Sequence, residues 1–204
     1  MTLPEGLYAI TPDWADSPRL VAAVSAALQG GARIVQYRNK LADAALRHEQ
    51  ASALLALCHA AQVPLIINDH LDLALAINAD GLHLGGDDGD LAAARAALGP
   101  HKLLGASCYN RIELAQAALA AGADHVGFGA AFVSGTKPQA VRAEADLYRR
   151  ACATLDAPVV AIGGITVANG ARLIDCGVKR LAVIGGLFDA EDVATQAARF
   201  TALF

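Results

Sequence analysis

Two kinds of hydrophobic pattern alternate along the chain, one typical of buried strands and one typical of amphipathic helices. Short runs rich in Val, Ile and Leu recur, and a longer alanine-rich stretch with apolar residues at helical spacing follows almost every run. Strands that alternate with helices predict a parallel sheet with right-handed crossovers. The predicted strands are GLYAIT (6–11), RIVQYR (33–38), PLIIND (64–69), GLHLG (81–85), KLLGAS (102–107), HVGFGAAF (125–132), PVVAIGG (158–164) and RLAVIGG (180–186).

Several connections from a helix to the next strand share one feature, a glycine at the end of the helix. In QGGAR (29–33), AAGAD (120–124) and DCGVK (175–179), a glycine ends the helical pattern shortly before a strand begins. Eight strand–helix units in 204 residues predict a (β/α)8 TIM barrel, with residues 1–204 forming one domain. An open doubly wound sheet is the alternative. It usually has a glycine-rich loop after its first strand, where this chain has TPDW.

Composition narrows the class of protein. The chain is 55% hydrophobic and 18% charged, with a net charge of −4, which argues against a general nucleic-acid surface. Four widely spaced cysteines without a C-x-x-C pair indicate reduced core residues rather than disulfides or a zinc site. The first residues lack a signal-peptide pattern, and no uncharged apolar stretch is long enough to span a membrane. We therefore expect a cytoplasmic protein.

The segment IVQYRNK (34–40) places Gln36, Arg38 and Lys40 at every second position of a strand end, so their side chains share one face. In a barrel, active-site groups come from the carboxyl ends of the strands and the loops that follow. We expect Arg38 to lie at the rim of the barrel without an ion-pair partner in the protein and to bind an anionic ligand. Other polar or glycine positions at the predicted strand ends are Asn68, Asp69, Asp87, Asp88, Ser107, Ser134, Thr136, Lys137, Gly163, Gly164, Gly185 and Gly186.

Several of these residues have a purely structural alternative. Asn68 and Asp69 could cap the next helix, and DDGD (87–90) could form the acidic start of another. His83 is expected to be a satisfied core residue. The glycine pairs could be tight turns, although barrels often bind phosphate in the loops after the seventh and eighth strands. The cations and carboxylates meet at the carboxyl end of the barrel, which we call its mouth. Together they favour a pyrophosphate-bearing substrate with Mg2+, because Mg2+ typically binds one or two carboxylates plus phosphate oxygens.

The sequence resembles the thiamine-phosphate synthase family over essentially its whole length. The resemblance runs through VQYRNK, IINDHLDLALAINADGLHLGGDD, LLGAS, GADHVGFGAAFVSGTK, PVVAIGGIT and AVIGG, in this order. The family joins a hydroxymethylpyrimidine diphosphate to a thiazole phosphate and releases pyrophosphate. The resemblance thus implies a transferase of thiamine biosynthesis with two small-molecule substrates and Mg2+, without nucleic-acid or membrane partners. It leaves homo-oligomerisation open.

Site residues follow from the resemblance position by position. The pyrimidine diphosphate is expected to contact Gln36, Arg38, Lys40, Asn68, Ser107 and Lys137. The thiazole phosphate is expected near Ser134, Thr136, Gly164, Ile184 and Gly185. Asp69 and Asp88 match the two Mg2+ ligands, with Asp87 as the alternative second ligand. Arg38, Lys40 and Lys137 are the expected catalytic residues, because they would neutralise charge that develops on the leaving pyrophosphate.

The chain departs from the family pattern at a few positions. Gly86 stands where the family usually has Gln, Ser134 replaces a common Thr, and Cys108-Tyr109 replaces Thr-His or Ala-His. A related thiazole tautomerase shares the barrel and uses a His just after the sixth strand, where this chain has Ala130 and Ala131. That tautomerase activity is one alternative function. A non-catalytic barrel that binds phosphorylated thiamine precursors is another.

Overall fold

In the computed structural model, which describes residues 2–86, 88–133 and 141–204, parallel strands close into a barrel in the order β1 to β8. The TIM-barrel prediction is therefore confirmed, and the open-sheet alternative is excluded. Each strand pairs with its neighbours in sequence, and β1 pairs with β8. The strands are β1 Gly6–Ile10, β2 Ile34–Tyr37, β3 Leu65–Asn68, β4 Gly81–Leu84, β5 Leu103–Ser107, β6 His125–Phe128, β7 Val159–Ile162 and β8 Arg180–Val183.

Helices surround the barrel, and aspartates begin several of them. The side chains of Asp16, Asp43, Asp90 and Asp192 accept backbone N–H groups in the first turns of α1, α2, α4 and α9, which satisfies donors that the helix itself cannot pair. The helices are α1 Ser17–Gln29, α2 Ala44–Ala60, α3 Leu71–Ala76, α4 Leu91–Leu98, α5 Ile112–Ala120, α6 Ala145–Thr154, α7 Val167–Ile174, α8 Gly185–Phe188 and α9 Val193–Thr201.

Alternation along the strands divides the core into two parts. Outward-facing residues pack against the helices in the larger cluster. The inward-facing cluster consists of Leu3, Tyr8, Ile10, Ile34, Ile66, Leu103, Val160 and Ala182.

At the amino end of the barrel, Arg180 donates from Nε and Nη2 to the Leu3 carbonyl oxygen at 3.1 and 2.7 Å, which ties the N-terminal segment across the barrel.

The last three strands end earlier than the hydrophobic pattern predicts. The sixth strand ends at Phe128 because Ala130 turns away and donates its N–H to the Val141 carbonyl at 2.8 Å. The seventh ends before Gly163 and Gly164, whose φ values of 100° and 62° do not belong to a strand. The glycines therefore lie in the loops at the carboxyl end of the barrel.

The cysteines are free, and three of them, Cys58, Cys108 and Cys176, are buried. Burial raises the pKa of the Cys58 and Cys108 thiols to about 12, so both stay protonated at neutral pH. This agrees with their interpretation as small core residues. Among the described residues, we find no helix with the length and apolarity that a membrane crossing requires.

Candidate functional site

The end of β2 sends alternate side chains to opposite sides of the barrel wall, as the sequence predicts. Gln36 is buried inside the barrel, where its Nε2 donates to the Tyr8 hydroxyl at 2.9 Å. Asn39 points the other way, and its Nδ2 donates to the Trp14 carbonyl at 3.0 Å. Burial raises the pKa of Tyr8, so this phenol stays protonated and neutral beneath the mouth.

Arg38 forms an ion pair with a residue that sequence reasoning missed. Its Nη1 donates to Asp13 Oδ1 and Oδ2 at 3.0 and 2.8 Å, and the Lys40 backbone N–H donates to Asp13 Oδ1 at 2.7 Å. The prediction that Arg38 is unpaired is therefore wrong. One signal could have revealed Asp13: it is an acidic residue three positions after β1, in the loop next to the end of β2.

Asp69 follows β3 with a left-handed backbone, φ 63°, and its N–H donates to the His83 carbonyl at 2.9 Å. Its Oδ2 accepts from Asn68 Nδ2 at 2.6 Å and lies 3.4 Å from Lys40 Nζ. The N-cap residue of α3 is His70, whose side chain makes no capping hydrogen bond. The helix-cap interpretation of Asn68 and Asp69 is therefore wrong, and the Asp69 carboxylate lies at the mouth beside Lys40.

The loop after β4 divides its acidic residues between two roles. Asp90 is the cap of α4, since its Oδ1 accepts two N–H groups of the first turn at 2.8 and 3.2 Å. Asp88 folds back instead: its N–H donates to the Gly85 carbonyl at 3.2 Å, and a side chain on Gly85 would overlap the Asp88 carboxylate. That carboxylate is thus held over the end of β4. Asp87 lies outside the described residues.

A histidine pair lies inside the barrel below Ser107. His83 Nε2 is 2.9 Å from Ser107 Oγ, and the His83 and His125 ring centroids are 5.9 Å apart. Burial lowers the pKa of His83 to about 4, although the negative charge of Asp69 acts to raise it. The ring is therefore neutral near pH 7. Gly105 is required between the rings, because a Cβ there would lie 2.6 Å from His83 Nδ1.

The prediction that His83 is a satisfied core residue is right for one nitrogen only. Its Nε2 meets Ser107, whereas Nδ1 is buried without a hydrogen-bond partner in the part of the chain that the structure covers. The same is true of both ring nitrogens of His125. A polar pair of this kind inside an apolar barrel costs stability.

Loops after β6, β7 and β8 complete the mouth. Ser134, Thr136 and Lys137 fall outside the described residues, so their predicted roles stay predictions. Gly164 lies against the preceding loop, since a Cβ there would approach the Phe132 carbonyl carbon to 2.9 Å. Gly185 is the first residue of the short helix α8 and directly follows Ile184. The phosphate role predicted for these loops is compatible with this placement.

The strand order explains which groups come together. Because β2, β3 and β4 are neighbours, Arg38 and Lys40 lie beside Asp69, and Asp88 lies one strand further along. Two carboxylates at adjacent strand ends fit Mg2+, which completes its octahedron with waters and phosphate oxygens rather than with an all-protein cage. Among the residues placed by the structure, there is no group of three or more His, Cys, Asp and Glu around a common point.

Fold and site together define a TIM-barrel protein with a charged mouth suited to an anionic ligand. The family model described as thiamine monophosphate synthase matches residues 7–187. The thiamine-phosphate synthase of Methylobacillus flagellatus is 54% identical over 200 residues, which cover 98% of this chain and 95% of that protein. The synthase of Chromobacterium violaceum is 56% identical over 193 residues, covering 95% and 93%.

Solved structures agree with these relatives. Thiamine phosphate pyrophosphorylase from Pyrococcus furiosus superposes with a TM-score of 0.87 at 33% identity, covering 97% of this chain and 94% of that one. A 3-hexulose-6-phosphate synthase superposes at 0.72 with 18% identity, which shows the shared fold alone. The chain belongs to the thiamine monophosphate synthase family, and the resemblance read from its motifs is confirmed.

Proposed function

We propose that this protein is a thiamine-phosphate synthase. It joins 4-amino-2-methyl-5-(diphosphooxymethyl)pyrimidine to a thiazole phosphate and releases pyrophosphate. The observation that carries this proposal is the 54–56% identity to thiamine-phosphate synthases over nearly the whole chain. The charged mouth described above is the place for the reaction, because barrel enzymes use the carboxyl ends of their strands.

The diphosphate is proposed to bind at the ends of β2 and β3. Arg38 is already oriented by Asp13, and Lys40 is tied to Asp69, so both cations are positioned before the ligand arrives. The buried amide of Gln36 would meet the pyrimidine end. The full proposed set is Gln36, Arg38, Lys40, Asn68, Ser107 and Lys137, the last of which lies outside the described residues.

Asp69 and Asp88 are proposed to hold Mg2+ together with diphosphate oxygens. When bound, Mg2+ would offset the negative charge of the diphosphate and so make it a better leaving group. Without the metal, a carboxylate beside a diphosphate would repel it. This explains why the mouth contains both carboxylates and positively charged side chains.

Bond breaking and bond making need no strong protein base. The carbon–oxygen bond between the pyrimidine methylene and the diphosphate breaks, and its electron pair leaves with pyrophosphate. The ring amino group supplies electron density to the methylene carbon, and the thiazole nitrogen lone pair forms the new bond. Arg38, Lys40 and Lys137 stabilise the charge on the leaving oxygens. Neutral His83 orients the Ser107 hydroxyl at the pyrimidine side.

The thiazole phosphate is proposed to lie on the opposite part of the mouth, at the loops after β6, β7 and β8. Barrels commonly bind phosphate in the loops after the last two strands and at a short extra helix, which here is α8. The proposed contacts are Ser134, Thr136, Gly164, Ile184 and Gly185.

The test is to incubate the purified protein with both substrates and Mg2+ and to detect the products by mass. Thiamine phosphate and pyrophosphate in equal amounts would support the proposal. Conversion of a thiazole carboxylate phosphate to its tautomer without the pyrimidine would instead support the tautomerase, although Ala130 and Ala131 stand where its histidine is expected. Binding of either substrate without turnover would support the non-catalytic barrel.

A further inference from the structure

Two consecutive glycines after β4 each make room for a different side chain. Gly85 lies under the Asp88 carboxylate, as described above. Gly86 lies under Tyr109: a Cβ on Gly86 would approach Tyr109 Oη to 2.8 Å and Cε2 to 2.9 Å. Such distances are not found between real atoms of this kind, so the phenol ring occupies the space that a side chain at position 86 would need. The ring therefore packs directly on the backbone of the acidic loop.

Tyr109 is anchored for this contact by its own backbone. It follows β5 with a left-handed conformation, φ 53°, which is uncommon for a residue with a side chain. Its carbonyl accepts the Gly129 N–H at 2.8 Å, and the N–H of the preceding Cys108 donates to the Gly127 carbonyl, also at 2.8 Å. The main chain is thus fixed to β6 and to the loop that follows it, while the 44% exposed side chain extends toward the loop after β4.

The described residues of the loop after β4 border a cavity on their other side. A cavity of about 300 Å3 separates Gly85, Gly86 and Gly89 from Leu114 and Ala117 of α5. Within the loop, the hydrogen bond from Asp88 N–H to the Gly85 carbonyl is comparatively long at 3.2 Å. A glycine-rich segment over a cavity is intrinsically permissive in conformation. Packing of the Tyr109 ring on Gly86 therefore restricts the conformations open to this loop.

We propose that Tyr109 is a positioning residue for Asp88. Its ring packs on Gly86 and keeps the loop in the conformation that holds the Asp88 carboxylate over the end of β4. The inference rests on the proposed function, since it gives Asp88 a role with Mg2+. Gly86 and Tyr109, at both of which this chain departs from the family pattern, contact one another.

The experiment compares wild type with Tyr109→Ala and Tyr109→Phe. Calorimetric titration of Mg2+ with inorganic pyrophosphate measures binding without turnover, and the Mg2+ concentration for half-maximal rate is measured in parallel. Loss of a residue that supports a metal ligand commonly weakens metal binding about tenfold or more, which is the expected result for Tyr109→Ala. Tyr109→Phe keeps the ring and should bind nearly as wild type does. Should Tyr109→Ala fail to fold, Tyr109→Leu takes its place.

The matched control is Phe204→Ala, which removes an aromatic ring of similar exposure, 47%, at the chain end, and should leave Mg2+ binding unchanged. Gly86→Gln should weaken binding because its side chain displaces the Tyr109 ring, and adding Tyr109→Ala to Gly86→Gln should cause little further loss, because the contact is already gone. Additive effects of the two changes, or a Tyr109→Ala protein with wild-type Mg2+ dependence, would overturn the inference while leaving the proposed function intact. A wild-type protein that releases no pyrophosphate would overturn both.

Discussion

Asp13 and Arg38 are paired at the mouth of the barrel, with Arg38 Nη1 at 2.8 Å from Asp13 Oδ2. The pair joins the loop after β1 to the end of β2, and the same carboxylate accepts the Lys40 backbone N–H. A guanidinium is a planar fork, so its orientation decides which oxygens it can reach. Asp13 thus fixes the direction of a cation that the proposed function places on the diphosphate.

Asp13→Asn should reduce turnover more than substrate binding. The amide can still accept the Lys40 N–H but no longer holds Arg38 by charge, and misplacing a catalytic group by about 1 Å can cost about a hundredfold in rate. KM for the pyrimidine diphosphate should change little, because the repulsion between Asp13 and the diphosphate is lost as well. Steady-state kinetics measures this split.

Asp16→Asn is the control, since Asp16 belongs to the same loop but caps α1 through the Arg19 N–H at 2.9 Å. It should leave kinetics unchanged and lower thermal stability only slightly, because Asn caps a helix nearly as well as Asp. An Asp13→Asn enzyme with wild-type kcat would show that the ion pair is only structural.

Arg38→Lys should lower kcat/KM by about one to two powers of ten, roughly 1.4–2.7 kcal/mol of transition-state stabilisation. The charge is kept, but the fork that can contact two phosphate oxygens at once is lost. Because Arg38 is paired with Asp13, Arg38→Ala leaves a carboxylate without its partner, so we expect a modest loss of melting temperature in addition to the larger kinetic loss. Unchanged kinetics in both variants, with a large drop in melting temperature, would contradict the role.

Asp69→Asn should abolish most activity while the protein stays folded. The change removes the charge that would bind Mg2+ but keeps an oxygen that can accept from Asn68 and Lys40. Excess Mg2+ should restore part of the rate, and calorimetry should show weaker binding of Mg2+ with pyrophosphate. Asp72→Asn, in the first turn of α3, is the matched control and should behave as wild type. Normal turnover of Asp69→Asn in limiting Mg2+ would refute the assignment.

The buried histidine pair predicts a pH dependence of stability. Burial lowers the pKa of His125 well below its usual value, and the neighbouring His83 and Arg180 side chains lower it further. Below about pH 6.5 the unfolded chain binds a proton at this residue that the folded protein does not, so the free energy of unfolding should fall as the pH falls. Urea unfolding from about pH 7.5 down to about pH 5 should show this fall. His125→Gln should reduce the slope without abolishing it, because His83, with its pKa lowered to about 4, contributes in the same range.

His101→Gln serves as the control for that series, because His101 is exposed. It should leave the slope as in wild type. Equal slopes in wild type and His125→Gln would mean that acid destabilises the fold through other groups.

The sequence predicted the barrel because the hydrophobic period and the helix-ending glycines repeat with every unit. The alternation that it predicted is seen at Gln36 in β2, but Arg38 and Lys40 lie beyond Tyr37, where the strand ends, so their placement depends on the loop rather than on strand geometry. It did not predict Asp13 beside Arg38 or Tyr109 over Gly86, because both contacts join loops that are distant in sequence. The sequence also could not decide which aspartates cap helices. Asp90 caps a helix and Asp69 does not, although both are acidic residues shortly before a helix.

The most direct test of the account is the initial rate of pyrophosphate release by the wild-type protein, measured with both substrates and Mg2+ and with each component omitted in turn. We expect rapid release only in the complete mixture, with one thiamine phosphate formed for each pyrophosphate. Release that is independent of the thiazole phosphate or of Mg2+, or no release in the complete mixture, would contradict the proposal that the mouth formed by Arg38, Lys40, Asp69 and Asp88 joins the two substrates.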